Sequence, residues 1–378
     1  MVPTPIGRAR VALVHDWLTG MRGGERVLEA IAGLFPRAHI YSLLHVPGSV
    51  SAELEAHPIH TSFVQHLPAS GWAYRWYLPL FPWAVEQLDL RGYHLVISSS
   101  HCAAKAALAS PQAVHVCYCH TPMRYAWDQF DAYFSPSRVG KLRHLAIRAT
   151  ISWLRRWDRG TAPRVDAFAA NSAWVAQRIA RYYRRPATVI PPPVDTDFFV
   201  PAGDGLVDDY YLVVSALSPY KRLEVAIEAC NHLQRPLVIV GSGPDAERLA
   251  GAAGPTVEMR GRVDDRQLRH LYQRCRALIL PAVEDAGIVP LEAMACGRPA
   301  LVLAEGGASE AVIDGVTGLH IGACEPAAVA EAIDRAEEVS FNSNKIRDHA
   351  LRYGTEVFAR RFATFVARVV CAQRRARL

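Results

Sequence analysis

The sequence predicts an α/β protein with two doubly wound parallel sheets. Short apolar runs alternate with helical patterns along almost the whole chain, the order expected of strand–helix–strand units with helices on both sheet faces. The chain has 378 residues, 51% of them hydrophobic, enough for two buried cores. The alternation breaks near the middle, at Pro191-Pro-Pro-Val-Asp-Thr-Asp-Phe-Phe199 and the polar stretch from Gly203 to Asp209. Three consecutive prolines stop a strand or helix and stiffen the link. The expected domains are 1–195 and 196–355. Two such sheets are expected to face each other across a cleft, with ligand sites at the C-terminal strand ends.

In the first half the expected strands are Arg10 to His15, His39 to Leu43, His94 to Ser98, Ala113 to Cys119, Ala167 to Ala170 and Ala187 to Ile190. In the second half they are Tyr211 to Ser215, Pro236 to Val240, Val257 to Arg260, Ala277 to Leu280 and Pro299 to Leu303. Helices are expected at Glu25 to Leu34, Ala173 to Tyr183, Arg222 to His232, Asp265 to Arg276 and Pro326 to Glu338, with a last one from about Glu356.

Several classes are excluded or disfavoured. No run of about 18 uncharged apolar residues exists, so no transmembrane helix is expected. The first ten residues lack the apolar centre and cleavage site of a signal peptide. Eight scattered cysteines, Cys117 and Cys119 among them, read as buried thiols in a reducing compartment. The net charge of +6 is unevenly placed. Residues 134–160 hold seven basic residues (Arg138, Lys141, Arg143, Arg148, Arg155, Arg156, Arg159) against the single acid Asp158. Leu142, Leu145, Ile151, Trp153, Leu154 and Trp157 are interleaved, and the tail from Arg360 adds six arginines and no acid. Such stretches either contact an anionic membrane peripherally or are solvated helices with a core-facing side. No nucleic-acid motif appears, and no nucleic-acid partner is expected.

The most informative phrase is Glu284-Asp-Ala-Gly-Ile-Val-Pro-Leu-Glu292, continuing Ala-Met-Ala-Cys-Gly-Arg-Pro299. It sets two carboxylates eight positions apart across an expected strand-to-helix turn. Pro290 suits a first helical turn, and the free N–H groups around Gly287, Ile288 and Val289 suit an anion. Two acids flanking an anion site fit a ligand with hydroxyls on both sides of a diphosphate, which describes a nucleotide-sugar. A solvated helix cap is the alternative.

Other segments point the same way. Lys221 and Arg222 open a helix after the first strand of the second domain, placed to neutralise a diphosphate. Gly241 and Gly243, in Val240-Gly-Ser-Gly-Pro-Asp-Ala246, form a glycine turn that lacks the third glycine of a dinucleotide fingerprint and follows the second strand, not the first. No Tyr-x-x-x-Lys pair accompanies it in a helix, which disfavours an NAD-dependent oxidoreductase or epimerase. Glu310 follows Glu305-Gly-Gly307 at the end of the last strand. Gly23, Gly24 and Glu25 join the first strand to the first helix, where backbone can approach a phosphate or sugar. His120, in Cys119-His-Thr-Pro-Met-Arg-Tyr-Ala-Trp-Asp128, and Asp16, in Val14-His-Asp-Trp17, lie at neighbouring strand ends. Asn171-Ser172 is expected to cap the helix from Ala173, and Asp264-Asp265 to cap the one ahead of Gln267.

The Glu284–Pro299 phrase resembles the E-x7-E signature of retaining glycosyltransferase family 4, and the Gly23–Glu25 and Lys221 segments are similar to that family's glycine turn and phosphate clamp. The phrase from His120 to Asp128 resembles a bacterial subgroup of mannosyltransferases that build O-antigen and exopolysaccharide units. Two positions depart from the pattern: Ala216 replaces the clamp's arginine, and Ala286 an aromatic residue. The resemblance implies a GT-B architecture of two Rossmann-like domains, the first for acceptor and the second for nucleotide-sugar, with helix 356–378 packing back on the first. It implies transfer of a sugar, mannose from GDP-mannose, to a lipid-linked saccharide, without cofactor or metal, in the cytoplasm at the inner face of the plasma membrane. The implied catalytic residues are His120, Glu284 and Asp16, with Asp16 meeting the acceptor. Glu292 would hold ribose hydroxyls, Glu284 the sugar, and Lys221, Arg222 and the Gly287 amides the diphosphate. A UDP-sugar donor, or a non-catalytic nucleotide-sugar-binding subunit, remains as the alternative.

Overall fold

The computed structural model describes residues 9–130, 134 and 140–377. Residues 1–8, Arg138 and the side chain of Leu142 lie outside the described residues. The chain divides into two compact units, Met1–Pro191 with Glu356–Leu378, and Pro192–Thr355.

The first unit holds a seven-stranded parallel sheet in the order β3-β2-β1-β4-β5-β6-β7. The strands are β1 (Val11–His15), β2 (His39–Ser42), β3 (Ile59–Thr61), β4 (Leu95–Ser100), β5 (Val114–Cys119), β6 (Ala167–Ala170) and β7 (Ala187–Val189). The two-residue period of β1 divides the core. Val11 and Leu13 face helix α1 (Gly23–Ala32) through Val27, Leu28 and Ile31, while Ala12 and Val14 join the opposite layer with Tyr41, Phe81 and Val96. Two further helices of this unit are α2 (Lys141–Gly160) and α3 (Ala173–Tyr183).

Helix α2 accounts for most of the basic stretch. Its Ile151 and Leu154 are buried in the core, whereas Leu145 and Trp153 are exposed. Its one acid is fully buried: Asp158 takes the Lys105 ammonium at 3.0 Å, the Trp127 indole N–H at 2.7 Å and the Tyr183 hydroxyl at 3.2 Å. Trp127 and Asp128 therefore act structurally. Asp128 accepts from Arg178 and Tyr182 of α3.

The second unit holds a six-stranded parallel sheet in the order β10-β9-β8-β11-β12-β13. Its strands are β8 (Tyr211–Val214), β9 (Leu237–Val240), β10 (Val257–Gly261), β11 (Leu278–Leu280), β12 (Ala300–Leu303) and β13 (Gly318–Ile321). The helices are α4 (Leu223–Leu233), α5 (Ala246–Ala252), α6 (Asp265–Arg274), α7 (Ile288–Ala295), α8 (Gly307–Ala311), α9 (Pro326–Glu338) and α10 (Ser343–Ala350). Helix α6 starts with a capping box in which Asp264 and Gln267 satisfy each other's backbone N–H groups, so Asp264-Asp265 is a helix cap.

The division between units falls slightly before the expected 195/196 boundary. Val194 donates its N–H to the Tyr353 carbonyl at 2.9 Å and is buried in the second core, which draws Pro192–Val194 into that unit. The last helix, α11 (Thr355–Ala376), supplies Phe358, Phe362, Phe365, Val366 and Val370 to the first unit's core. The apolar side of the basic tail is thus core. Two of the four edge strands, β3 and β13, are additions to the sequence-based expectation.

Candidate functional site

In the second unit, the Glu284–Glu292 phrase forms a loop leading from β11 into α7. The helix begins at Ile288, two residues earlier than Pro290 suggests, because Gly287 takes a left-handed conformation (φ +72°) just ahead of it. A Cβ there would lie 2.8 Å from the Ala308 Cα, so only glycine lets the loop rest on α8. Glu284 is pinned by backbone: its carbonyl accepts the Gly307 N–H at 2.6 Å, and it bridges to Gly306. Its carboxylate pairs with the Lys221 ammonium, both side chains being largely buried. Glu292 is buried on α7 and accepts the Tyr272 hydroxyl proton at 2.9 Å. Burial, and then the Glu292 charge, push the Tyr272 hydroxyl well above its ordinary pKa, so it stays protonated and donating.

The structure thus brings Glu284 and Lys221 together and fixes Glu292 at the other end of the same turn. Arg222 lies apart from this pair. Its guanidinium pairs with Glu224 at 2.7 Å, and Glu224 also takes Arg248 at 3.2 Å, so Arg222 joins a surface cluster and does not share the Lys221 partner. Gly241 and Gly243 have a structural reason of their own. Cβ atoms there would come within 1.8 Å of the Ser215 carbonyl oxygen and 2.2 Å of the Leu217 carbonyl oxygen, so the glycines admit the loop after β8. Glu310 is exposed in the first turn of α8.

In the first unit, β1, β4 and β5 lie side by side and end in a histidine cluster. His15 ends β1, His101 follows β4 and His120 follows β5. Their ring centroids are 6.0 to 6.4 Å apart. Ser99 Oγ lies 3.1 Å from His15 Nδ1 and 2.8 Å from His120 Nε2. Glu25 Oε1 in the first turn of α1 lies 4.0 Å from His15 Nε2. Gly24 rests on both rings: a Cβ there would be 3.6 Å from His15 and 3.9 Å from His120. Gly23 begins α1. Burial lowers the His15 pKa to about 4, holds His101 and His120 below the ordinary histidine value, and raises the Glu25 carboxyl to about 7. The Asn171 amide fixes the His120 carbonyl at 2.8 Å, while Ser172 caps α3.

Asp16 is corrected by the structure. It is fully buried, and each carboxylate oxygen accepts two backbone N–H groups, from His101 and Cys102 at 2.7 and 2.9 Å and from Ala103 and Ala104 at 2.6 and 2.7 Å. His101 Nδ1 adds a contact at 3.1 Å. Every lone-pair direction is taken within the fold, so Asp16 anchors the turn after β4 and does not meet an acceptor. Sequence reading missed Tyr272, Ser99 and His101.

Comparison with known proteins places this geometry. The family model for glycosyltransferase family 4 matches residues 21–198, and that for glycosyl transferases group 1 matches residues 204–355. The chain belongs to glycosyltransferase family 4. Among curated relatives, it is similar to the D-inositol 3-phosphate glycosyltransferase of Frankia alni, with 32% identity over 176 residues, 39% of this chain and 43% of the relative. It is also similar to the GDP-mannose-dependent alpha-(1-6)-phosphatidylinositol monomannoside mannosyltransferase of Mycolicibacterium smegmatis, with 33% identity over 199 residues, 44% of this chain and 52% of the relative. The chain thus spans about half the length of these relatives. The solved structure of Anabaena HepE in complex with UDP shares the fold, with a TM-score of 0.71 at 18% identity over 95% of this chain and 99% of that one.

Proposed function

We propose that this family 4 member is a retaining, metal-independent glycosyltransferase that moves mannose from GDP-mannose to a lipid-linked saccharide. The observation that carries the reading is the Gly287 turn, with Glu284 held against Lys221 at one end and Glu292 oriented by Tyr272 at the other. A carboxylate can accept two ribose hydroxyls at once, which suits Glu292. Glu284 accepts sugar hydroxyls and favours positive charge developing at the anomeric carbon. Lys221 and the N–H groups that open α7 stabilise the diphosphate as the bond from the anomeric carbon to its oxygen breaks. The acceptor oxygen forms the new bond on the same face, and its proton passes to the departing phosphate. In the first unit, His120 is the candidate for contact with a sugar hydroxyl.

The mannose and lipid parts draw support from the name of the Mycolicibacterium relative. A UDP-sugar donor is the second reading, because HepE is seen with UDP. Membrane contact belongs to the proposal: Trp72, Trp76 and Trp83 are exposed in the first unit, and basic α2 exposes Trp153. Among the described residues, no helix is long and apolar enough to cross a membrane.

The test is a screen of GDP- and UDP-sugars against a lipid-linked saccharide pool, read by mass. A hexose added from GDP-mannose supports the reading. Addition only from a UDP-sugar replaces the donor, and nucleotide binding without any transfer or donor hydrolysis removes the enzyme.

A further inference from the structure

A cavity of about 360 Å³ opens in the first unit between the segment after β5 and helix α2, a size common among small-ligand pockets. Among the described residues it is lined by Trp127, Asp128, Phe130, His144, Arg148 and Arg155. His144, Arg148 and Arg155 stand four and seven positions apart, which sets them on one side of α2. One wall is rigid. The Trp127 indole N–H is held by Asp158 at 2.7 Å, and its ring stacks on Tyr182 at 4.6 Å. Arg155 is pinned to that wall. Its Nε donates to the Ala126 carbonyl, and its guanidinium carbon lies 5.9 Å from the ring centres of both Trp127 and Phe130. Its terminal nitrogens, and the whole guanidinium of exposed Arg148, have no carboxylate partner among the described residues. The acid in the lining does not cancel them, because Asp128 is already taken by Arg178 and Tyr182. His144 Nδ1 donates to the Phe134 carbonyl at 2.6 Å, so it adds no negative charge. The cavity is therefore left with a net positive charge. Guanidinium forks match phosphate oxygens, and two of them suit a multiply charged phosphate better than a single carboxylate.

We infer that this cavity binds a phosphate or diphosphate group, taken by Arg148 and by Arg155 held in place on Trp127. The group arrives on one of two molecules. One is the carrier of a lipid-linked acceptor, and in that case the inference rests on the proposed function. The other is an anionic lipid headgroup.

The experiment is calorimetric titration of inorganic pyrophosphate into the full chain carrying Lys221→Gln, which removes the cation of the proposed donor turn. Arg148→Gln and Arg155→Lys are then added to it one at a time. Arg148 is exposed, so its replacement leaves the fold intact. Arg155→Lys keeps the charge and loses the fork. Pyrophosphate is expected to bind the starting protein, and each added change to weaken it at least about tenfold, the size of one charge-assisted hydrogen bond. No binding, or equal affinity after both changes, overturns the site. GDP and UDP are titrated into the wild type in parallel. A nucleotide bound there with no pyrophosphate bound in Lys221→Gln overturns the site and leaves the proposed function standing. Pyrophosphate bound through Arg148 with neither nucleotide bound supports the site and overturns the proposed function. Sedimentation of the wild type and Arg148→Gln with vesicles of phosphatidylglycerol or phosphatidylcholine then separates the two sources. Loss of phosphatidylglycerol binding in Arg148→Gln assigns the site to a headgroup, and equal binding of the two proteins assigns it to the carrier phosphate.

Discussion

The Tyr272 hydroxyl donates to Glu292 Oε2 at 2.9 Å, from the helix that precedes β11 to the helix that follows it. The bond spans 20 residues and fixes the rotamer of the carboxylate proposed to hold a ribose. Tyr272→Phe keeps the ring and removes only this bond. Nucleotide affinity is expected to fall by about 1 kcal/mol, the size of one hydrogen bond. Calorimetric titration with GDP checks it, and an unchanged affinity would mean that Glu292 needs no such support.

The buried Asp158 tests how the first unit is held. It neutralises Lys105 in a setting with little water and also takes Trp127 and Tyr183. Asp158→Ala leaves Lys105 charged and unpaired, and is expected to cost about 3–5 kcal/mol of stability. Urea unfolding followed by tryptophan fluorescence measures it. A loss below about 1 kcal/mol would show the ion pair to be dispensable.

Acid should weaken the first unit through His115. This ring is buried, bonded to Ser98 at 2.9 Å and to the Arg164 carbonyl at 3.2 Å, and burial lowers its pKa from 6.5 to about 4. The unfolded chain takes up a proton near the higher value and the folded chain only near the lower. Stability from this residue is therefore complete above 6.5 and is lost as pH falls toward 4. Between about pH 7 and pH 5, the wild type is expected to lose about 2 kcal/mol more than His115→Gln. Equal losses in urea unfolding at the two pH values would contradict the burial argument.

Much of the fold was readable because buried parallel strands are apolar runs bounded by turns, and both sheets' central strands are of this kind. Edge strands β7 and β10 were readable too, but β3 and β13 escaped for local reasons. β3 is only Ile59-His-Thr61 and is not fully buried, while β13 opens on Gly318, whose Cβ would come within 1.9 Å of the Ala300 carbonyl oxygen. Glu284, Glu292 and Lys221 could be picked out as candidates because residue type and spacing single them out, and the structure pairs Glu284 with Lys221. Arg222 read as a phosphate cation, but only the structure reveals its competing partner Glu224. Asp16 read as a strand-end residue meeting the acceptor, yet the amides after β4 claim it completely. Ser99 and His101 could not be placed from sequence, because β1, β4 and β5 become neighbours only through the sheet order. The recurrence of a histidine at three strand ends was the available signal.

The left-handed Gly287 offers a direct probe of the turn. Gly287→Ala adds a Cβ 2.8 Å from the Ala308 Cα in a conformation that costs about 1–2 kcal/mol for an L-residue. Sugar transfer is expected to fall at least about tenfold, as the amides opening α7 move away from the diphosphate. Initial-rate measurements check this, and a wild-type rate would show that the turn need not be held in place.

The central claim is that the turn between Glu284 and Glu292 grips a nucleotide-sugar, and it is tested most directly by calorimetric titration of GDP and UDP into the wild type and Glu292→Ala. The account predicts that the nucleotide bound by the wild type loses about 1.5–3 kcal/mol of affinity in the variant. Equal affinity in the two proteins would contradict it.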